Sequence, residues 1–151
     1  MTKFFVKYLT ILIFISGCGY SPIFSKKNSN FSINEIVFSG NNNLNRLINN
    51  KLNTYKNQNT NKIFSLSINT NSRKEISSKD SKGNPKTFKI EVKSKILIKD
   101  SEGEIKEKLF IRSASYNNRS DKFELKKFEN QTTKNLAIKI SEEIIIYLQS
   151  V

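Results

Sequence analysis

Few side chains in this sequence are equipped for chemistry. It has no histidine and one cysteine, Cys18, and its three aspartates, Asp80, Asp100 and Asp121, lie far apart in polar stretches. A nucleophile needs a base within hydrogen-bond reach, and no pair at suitable spacing supplies one. Glu142 and Glu143 are neighbours in sequence, so on a helix they point to different faces and do not form an acid/base couple. Structural zinc calls for thiolate or imidazole ligands, and the five glycines stand apart rather than in a phosphate-cradling loop. The expectations are no enzyme activity, no metal site and no diffusible cofactor. Two kinds of reactive group remain: the single thiol, and a large excess of lysine.

The thiol has a telling neighbourhood. Lys3 and Lys7 precede an almost wholly apolar run, Tyr8 to Ile15, which is followed by Ser16, Gly17 and Cys18. The run is far shorter than the roughly 20 residues a spanning helix requires. A charged start, a short apolar stretch and a pair of small residues form an export leader with its cleavage site. Ile15-Ser16-Gly17-Cys18 looks like a bacterial lipobox, in which the thiol receives diacylglycerol, the chain is cut before the cysteine and the new amine is acylated. Cys18 is therefore the expected lipid attachment point, and no thiol is left for a disulfide. Residues 1–17 are read as the leader, 18–30 as a lipidated tether and 31–151 as one domain.

Lysine dominates what remains. Once Lys3 and Lys7 leave with the leader, 24 Lys and Arg face 13 Asp and Glu, a formal charge of +11. A basic balance of this size usually suggests nucleic acid, but an exported, tethered chain meets none. Anionic head groups or an acidic protein are the available counterparts. An abundance of Asn, Lys and Ile also fits AT-rich codons, which account for part of the excess without any function.

Periodicity supplies the elements. Residues 31–40 read as a strand ending at Ser39-Gly40. With Asn42 or Asn43 as cap, Leu44, Leu47, Ile48, Leu52 and Tyr55 then mark one face of a helix running to about Asn57. Phe64, Leu66 and Ile68 alternate as a second strand, and residues 70–86, lacking an apolar period, are expected to form a long hairpin loop. Phe88 to Ile98 alternate as a third strand, Asp100 to Gly103 turn, and Ile105 to Tyr116 return as a fourth. Asp121 and Glu124 are spaced as a capping box for a last helix, whose Leu136, Ile140, Ile144 and Leu148 form a buried stripe. The order β-α-β-β-β-α predicts an α+β fold: a two-layer sandwich of a four-stranded mixed sheet with both helices on one face.

The other sheet face is expected to be rich in lysine. Lys93, Lys95 and Lys99 on the third strand, and Lys106, Lys108 and Arg112 on the fourth, are expected to stand side by side across the hairpin. Like charges directly opposite are destabilising, so such a surface favours phosphate or carboxylate ligands. The alternative is a solvated basic edge that discourages aggregation.

Cys18-Gly19-Tyr20-Ser21-Pro22-Ile23-Phe24 resembles the mature start of lipopolysaccharide-assembly lipoproteins (LptE), particularly the alphaproteobacterial kind. The likeness continues through Ile33 to Phe38 with the following helix. It extends to Tyr116, Phe123 and the segment Leu136 to Leu148, which look like the closing strand and C-terminal helix of that family. The resemblance implies a non-enzymatic lipoprotein on the periplasmic face of the outer membrane, held there by acyl chains on Cys18. It would partner and plug the lipopolysaccharide-translocon β-barrel (LptD-type) and bind lipopolysaccharide. Lipid A phosphates would give the basic surface a role, but the resemblance assigns no contact to a particular position; Lys93, Lys95, Lys106, Lys108 and Arg112 are candidate phosphate contacts by their charge alone. The rival reading is a stand-alone envelope lipoprotein that binds anionic lipid or peptidoglycan.

Overall fold

The computed structural model describes residues 29–151. The leader, Cys18 and most of the expected tether lie outside the described residues. The elements are β1 (Ser32–Gly40), α1 (Asn42–Leu52), a single 3-10 turn at Asn53–Tyr55, β2 (Ile63–Lys79), β3 (Pro85–Lys99), β4 (Ile105–Asn117) and α2 (Lys122–Ser150). The sheet order is β1-β2-β3-β4, with β1 parallel to β2 and the other two pairs antiparallel. This is the α+β arrangement that the periodicity implies.

Both helices start where the sequence provides an acceptor. The Asn41 side chain accepts from the amides of Asn43 and Leu44 at 3.1 and 3.2 Å, one or two residues earlier than the expected cap. Asp121 accepts from Phe123 and Glu124 at 2.9 and 3.0 Å. Each satisfies backbone donors that the first helical turn leaves unpaired. α1 is shorter than its apolar stripe suggests. Its axis gives way to the 3-10 turn so that the Tyr55 ring can stack on Phe31, with centroids 5.1 Å apart. Asn57 then reverses the chain at a φ of 54°, a left-handed conformation that asparagine tolerates better than most residues.

The largest departure from expectation is at residues 70–86. No long loop exists there: β2 continues to Lys79, β3 begins at Pro85, and the two pair antiparallel along this length. The chain reverses within residues 80–84, where the Asp80 carboxylate accepts from the backbone of Lys82 and Asn84 and Gly83 takes φ +83°. Residues 100–104 repeat the device, with Asp100 accepting from Glu102 and Glu104 and Gly103 at +87°. The apolar period vanishes after Thr70 because β1 ends there and both faces of β2 become exposed.

The core lies between the sheet and the helices. Ile33, Leu66, Ile68 and Ile96 from the sheet meet Ile48 of α1 and Ile140 of α2, all at 2% exposure or less. Burial of one such side chain contributes about 1.5–3 kcal/mol. One buried polar contact crosses the middle strands, where the hydroxyls of Thr70 and Ser94 lie 3.0 Å apart. No helix among the described residues is long and apolar enough to cross a membrane.

Candidate functional site

The two expected halves of the basic surface do not share a face. In the β3–β4 ladder Lys93 pairs with Ile111, Lys95 with Leu109 and Lys99 with Ile105. Odd-numbered residues thus oppose odd-numbered ones. The β3 lysines at 93, 95 and 99 point to the open side of the sheet, whereas Lys106, Lys108 and Arg112 are even-numbered and share the helix side with Phe110. The expectation of a side-by-side cluster is corrected. The parity is set by the connection 100–104, and a strand's side chains alternate with period two.

Acidic partners already hold most of these cations. On the open face Lys95 lies 2.9 Å from Glu107, and Lys93 lies 3.2 Å from Glu91, which also meets Arg73 at 3.0 Å and Lys89 at 3.8 Å. Burial pushes the Glu91 carboxyl up, but Lys93, Arg73 and Lys89 override it and hold it below the ordinary range. On the helix side Arg112 is paired with Glu143, Lys106 lies 3.7 Å from Glu104, and the Lys108 ammonium sits 5.3 Å from the Tyr147 ring centroid.

Cations without an ion pair gather elsewhere. A cleft of about 610 Å³ opens where the first turns of α1, the N-terminal half of α2 and strands β2 and β3 converge. Arg46, Lys126 and Lys134 line it, and none has an acidic partner within 4 Å among the described residues. Leu44, Leu47 and Ile90 give the cleft an apolar wall. Its polar anchor is Glu129, only 8% exposed, which accepts from the Tyr116 hydroxyl at 2.8 Å and from the Lys74 ammonium. Burial alone would raise the Glu129 carboxyl; Lys74, Tyr116 and nearby Lys126 lower it below the usual range. The Tyr116 phenol is driven up by burial and by the carboxylate it faces. Phe88 and Phe128 flank the Tyr116 ring at 5.7 and 5.5 Å and shield the group from solvent.

Reading strands for lysines misses this cleft. Its sequence signal is Lys122, Lys126, Asn130 and Lys134, a polar stripe repeating every four residues along α2. Arg46 gives no such signal, because only the fold brings α1 beside that stripe. The cleft suits an anion: cations without an ion pair line it, with amide and hydroxyl side chains among them and an apolar wall for an attached hydrocarbon or sugar ring.

The open face of the sheet is a second, different surface. Val37, Leu97, Ile105, Leu109 and Ile111 project from it, between 40 and 65% exposed. A shallow groove of about 180 Å³ runs between Val37, Leu97 and Ile105, with Lys99 at its rim.

No protein-family model and no curated protein sequence matches this chain. Solved structures do. Rare lipoprotein B from Shewanella oneidensis superposes with a TM-score of 0.63 at 14% identity, over 78% of this chain and 95% of that one. A minor lipoprotein from Acinetobacter baumannii gives 0.60 at 12% identity, over 82% and 92%. Lipoprotein B from Nitrosomonas europaea gives 0.56 at 10% identity, over 79% and 84%. With identities this low the likeness is one of architecture: this chain has the fold found in these bacterial lipoproteins.

Proposed function

We propose that this chain is an outer-membrane lipoprotein that partners and plugs the β-barrel translocon for lipopolysaccharide and assists lipopolysaccharide assembly. The observation that carries the reading is the coincidence of a lipobox-like Cys18 with a fold found in lipoproteins B. Acyl chains on Cys18 would hold the domain at the periplasmic face of the membrane, and two or more chains suffice for stable anchoring at about 0.8 kcal/mol per buried CH₂. A polar body rich in paired charges suits the wet lumen of a large barrel. Lipid phosphates would be met by Arg46, Lys126 and Lys134, which make no ion pair within 4 Å among the described residues. Lys93, Lys95, Lys106, Lys108 and Arg112 would contribute less, since acids or an aromatic ring already engage them. No catalytic step, metal or diffusible cofactor enters this reading.

Purification of the tagged chain from native membranes in mild detergent tests it. Recovery of a barrel of several hundred residues together with lipopolysaccharide supports the proposal, and a lone monomer carrying only its own lipid favours the stand-alone lipoprotein instead. Cys18→Ala should abolish fatty-acid labelling, and retained label would remove the anchor. Charge reversal at Arg46, Lys126 and Lys134 should weaken lipopolysaccharide binding in a salt-dependent way, and more than reversal at Lys93, Lys95 and Arg112. Equal effects would dismiss the cleft.

A further inference from the structure

The two outer strands of the sheet are finished differently. The outer edge of β1 is covered near its start, where Ile33 bridges to Lys56, and α1 is tied to the strand's end by Asn45 Nδ2, which donates to the Ser39 carbonyl at 2.8 Å. The outer edge of β4 has no such cover. β4 runs for 13 residues in unbroken register with β3, contains no proline, glycine or bulge, and pairs with no other strand among the described residues. A long, regular edge of this kind is a template for another strand, and proteins usually shorten, twist or cover it.

The side chains that flank the edge specify what fits. On the open face Ile105, Leu109 and Ile111 are 65, 51 and 44% exposed, and Glu107 between the first two is neutralised by Lys95 at 2.9 Å. On the helix face Lys106 and Lys108 project between them, both exposed and held only loosely, Lys106 at 3.7 Å from Glu104 and Lys108 at 5.3 Å from the Tyr147 ring centroid. We propose that the β4 edge is a docking site for an extended segment of a partner polypeptide that alternates acidic and apolar residues. The segment's backbone would continue the ladder, its apolar side chains covering Ile105, Leu109 and Ile111 while its carboxylates meet Lys106 and Lys108. Opposite charges directly across a strand pair attract one another.

Other occupants fit less well. A second copy would set its own Lys106, Lys108 and Arg112 against the same residues, a concentration of like charge. Residues 1–31 of this chain contain no Asp or Glu at all. Lysine alone on an edge does discourage self-pairing, but it leaves the three apolar side chains bare and invites an acidic strand. The proposal goes beyond the barrel partnership, since the wall of a closed barrel has no free strand edge to offer.

The probe is a nine-residue peptide alternating glutamate and valine, added to the full chain in detergent while backbone amide exchange is followed residue by residue. The β4 amides that point away from β3 should slow at least tenfold. Binding should weaken at least tenfold when the peptide's ladder-forming amides are N-methylated, and similarly when lysine replaces its glutamates. The double variant Lys106→Glu/Lys108→Glu alters exposed side chains only and should reverse the preference, so that the lysine peptide now binds. Several results would overturn the proposal: no binding at millimolar peptide, binding without protection of β4, indifference to N-methylation, or dimerisation of the chain through β4.

Discussion

The Tyr116 hydroxyl donates to Glu129 Oε1 across 2.8 Å, and through that one oxygen strand β4 is fastened to helix α2 and, by way of Lys74, to β2. Two consecutive elements and one distant strand meet at a single buried carboxylate. Removing it would leave a phenol and an ammonium group without their acceptor. Glu129→Ala should cost about 2 kcal/mol of stability, the penalty for stranding a buried donor. Tyr116→Phe should cost less, because the carboxylate keeps Lys74. Urea unfolding followed by circular dichroism distinguishes the two.

The same contact predicts an alkaline signature. The Tyr116 phenol is pushed above its ordinary value by burial and by Glu129, so the folded state favours its protonated form. The stability it brings is fully present below about pH 10, the unfolded value, and is lost as pH rises from there toward the raised folded value. Ultraviolet titration of phenolate should show a late-ionising class. Tyr116→Phe should diminish that class, leaving Tyr55, also raised by burial.

On the acid side the carboxylates control stability. Glu91 and Glu129 are both held below the usual range by neighbouring cations, against the upward push of burial. A depressed folded value means that the unfolded chain binds protons first. Stability is therefore present above about pH 4.3 and lost as pH falls below it toward the folded values. The urea midpoint should drop between pH 5 and pH 3, and the double variant Glu91→Gln/Glu129→Gln should flatten that slope while being weaker at pH 7.

Gly40 closes β1 at φ +84°, and a β-carbon there would overlap the Thr70 carbonyl oxygen, the acceptor for the Asn41 amide at 2.7 Å. Gly40→Ala should cost about 1–3 kcal/mol from the backbone conformation alone, with the overlap adding to it. Thermal unfolding should show a clear drop, whereas Gly83→Ala, at similar φ but facing open space, should show only the conformational part.

Thr70 and Ser94 are both fully buried and share one hydrogen bond of 3.0 Å. Thr70→Val strands the serine hydroxyl and should cost about 1–3 kcal/mol. Thr70→Val/Ser94→Ala removes both polar groups and should recover much of that loss. A double-mutant cycle with no coupling would contradict the assignment.

Much of this architecture is legible in the sequence, for physical reasons that can be named. Leu136, Ile140, Ile144 and Leu148 announce α2 because one face must be buried, and Phe64 to Ile68 announce β2 for the same reason. The signal fails where burial fails. Residues 71–79 carry Arg73, Lys74, Glu75 and Ile76 in no apolar order, since neither face there is well covered, yet they form a strand because β3 supplies their hydrogen bonds. A subtler signal was available: Asp80-Ser81-Lys82-Gly83 and Asp100-Ser101-Glu102-Gly103 spell the same turn, and a turn implies a strand on either side. The cleft was harder to see. Arg46 and Lys134 are 88 positions apart, and polar residues on two helices carry no information about which helix lies beside which.

The short connection at 100–104 has a consequence for how such a chain can change over generations. Substitutions within it leave the arithmetic of the hairpin intact. Losing or gaining one residue while the same turn is rebuilt would slip the register by one and turn β4 over, swinging Phe110 into solvent and Leu109 and Ile111 toward α2. Descendants of this gene are thus free to respell that corner, but a change of length by one must bring with it a different turn or a bulge.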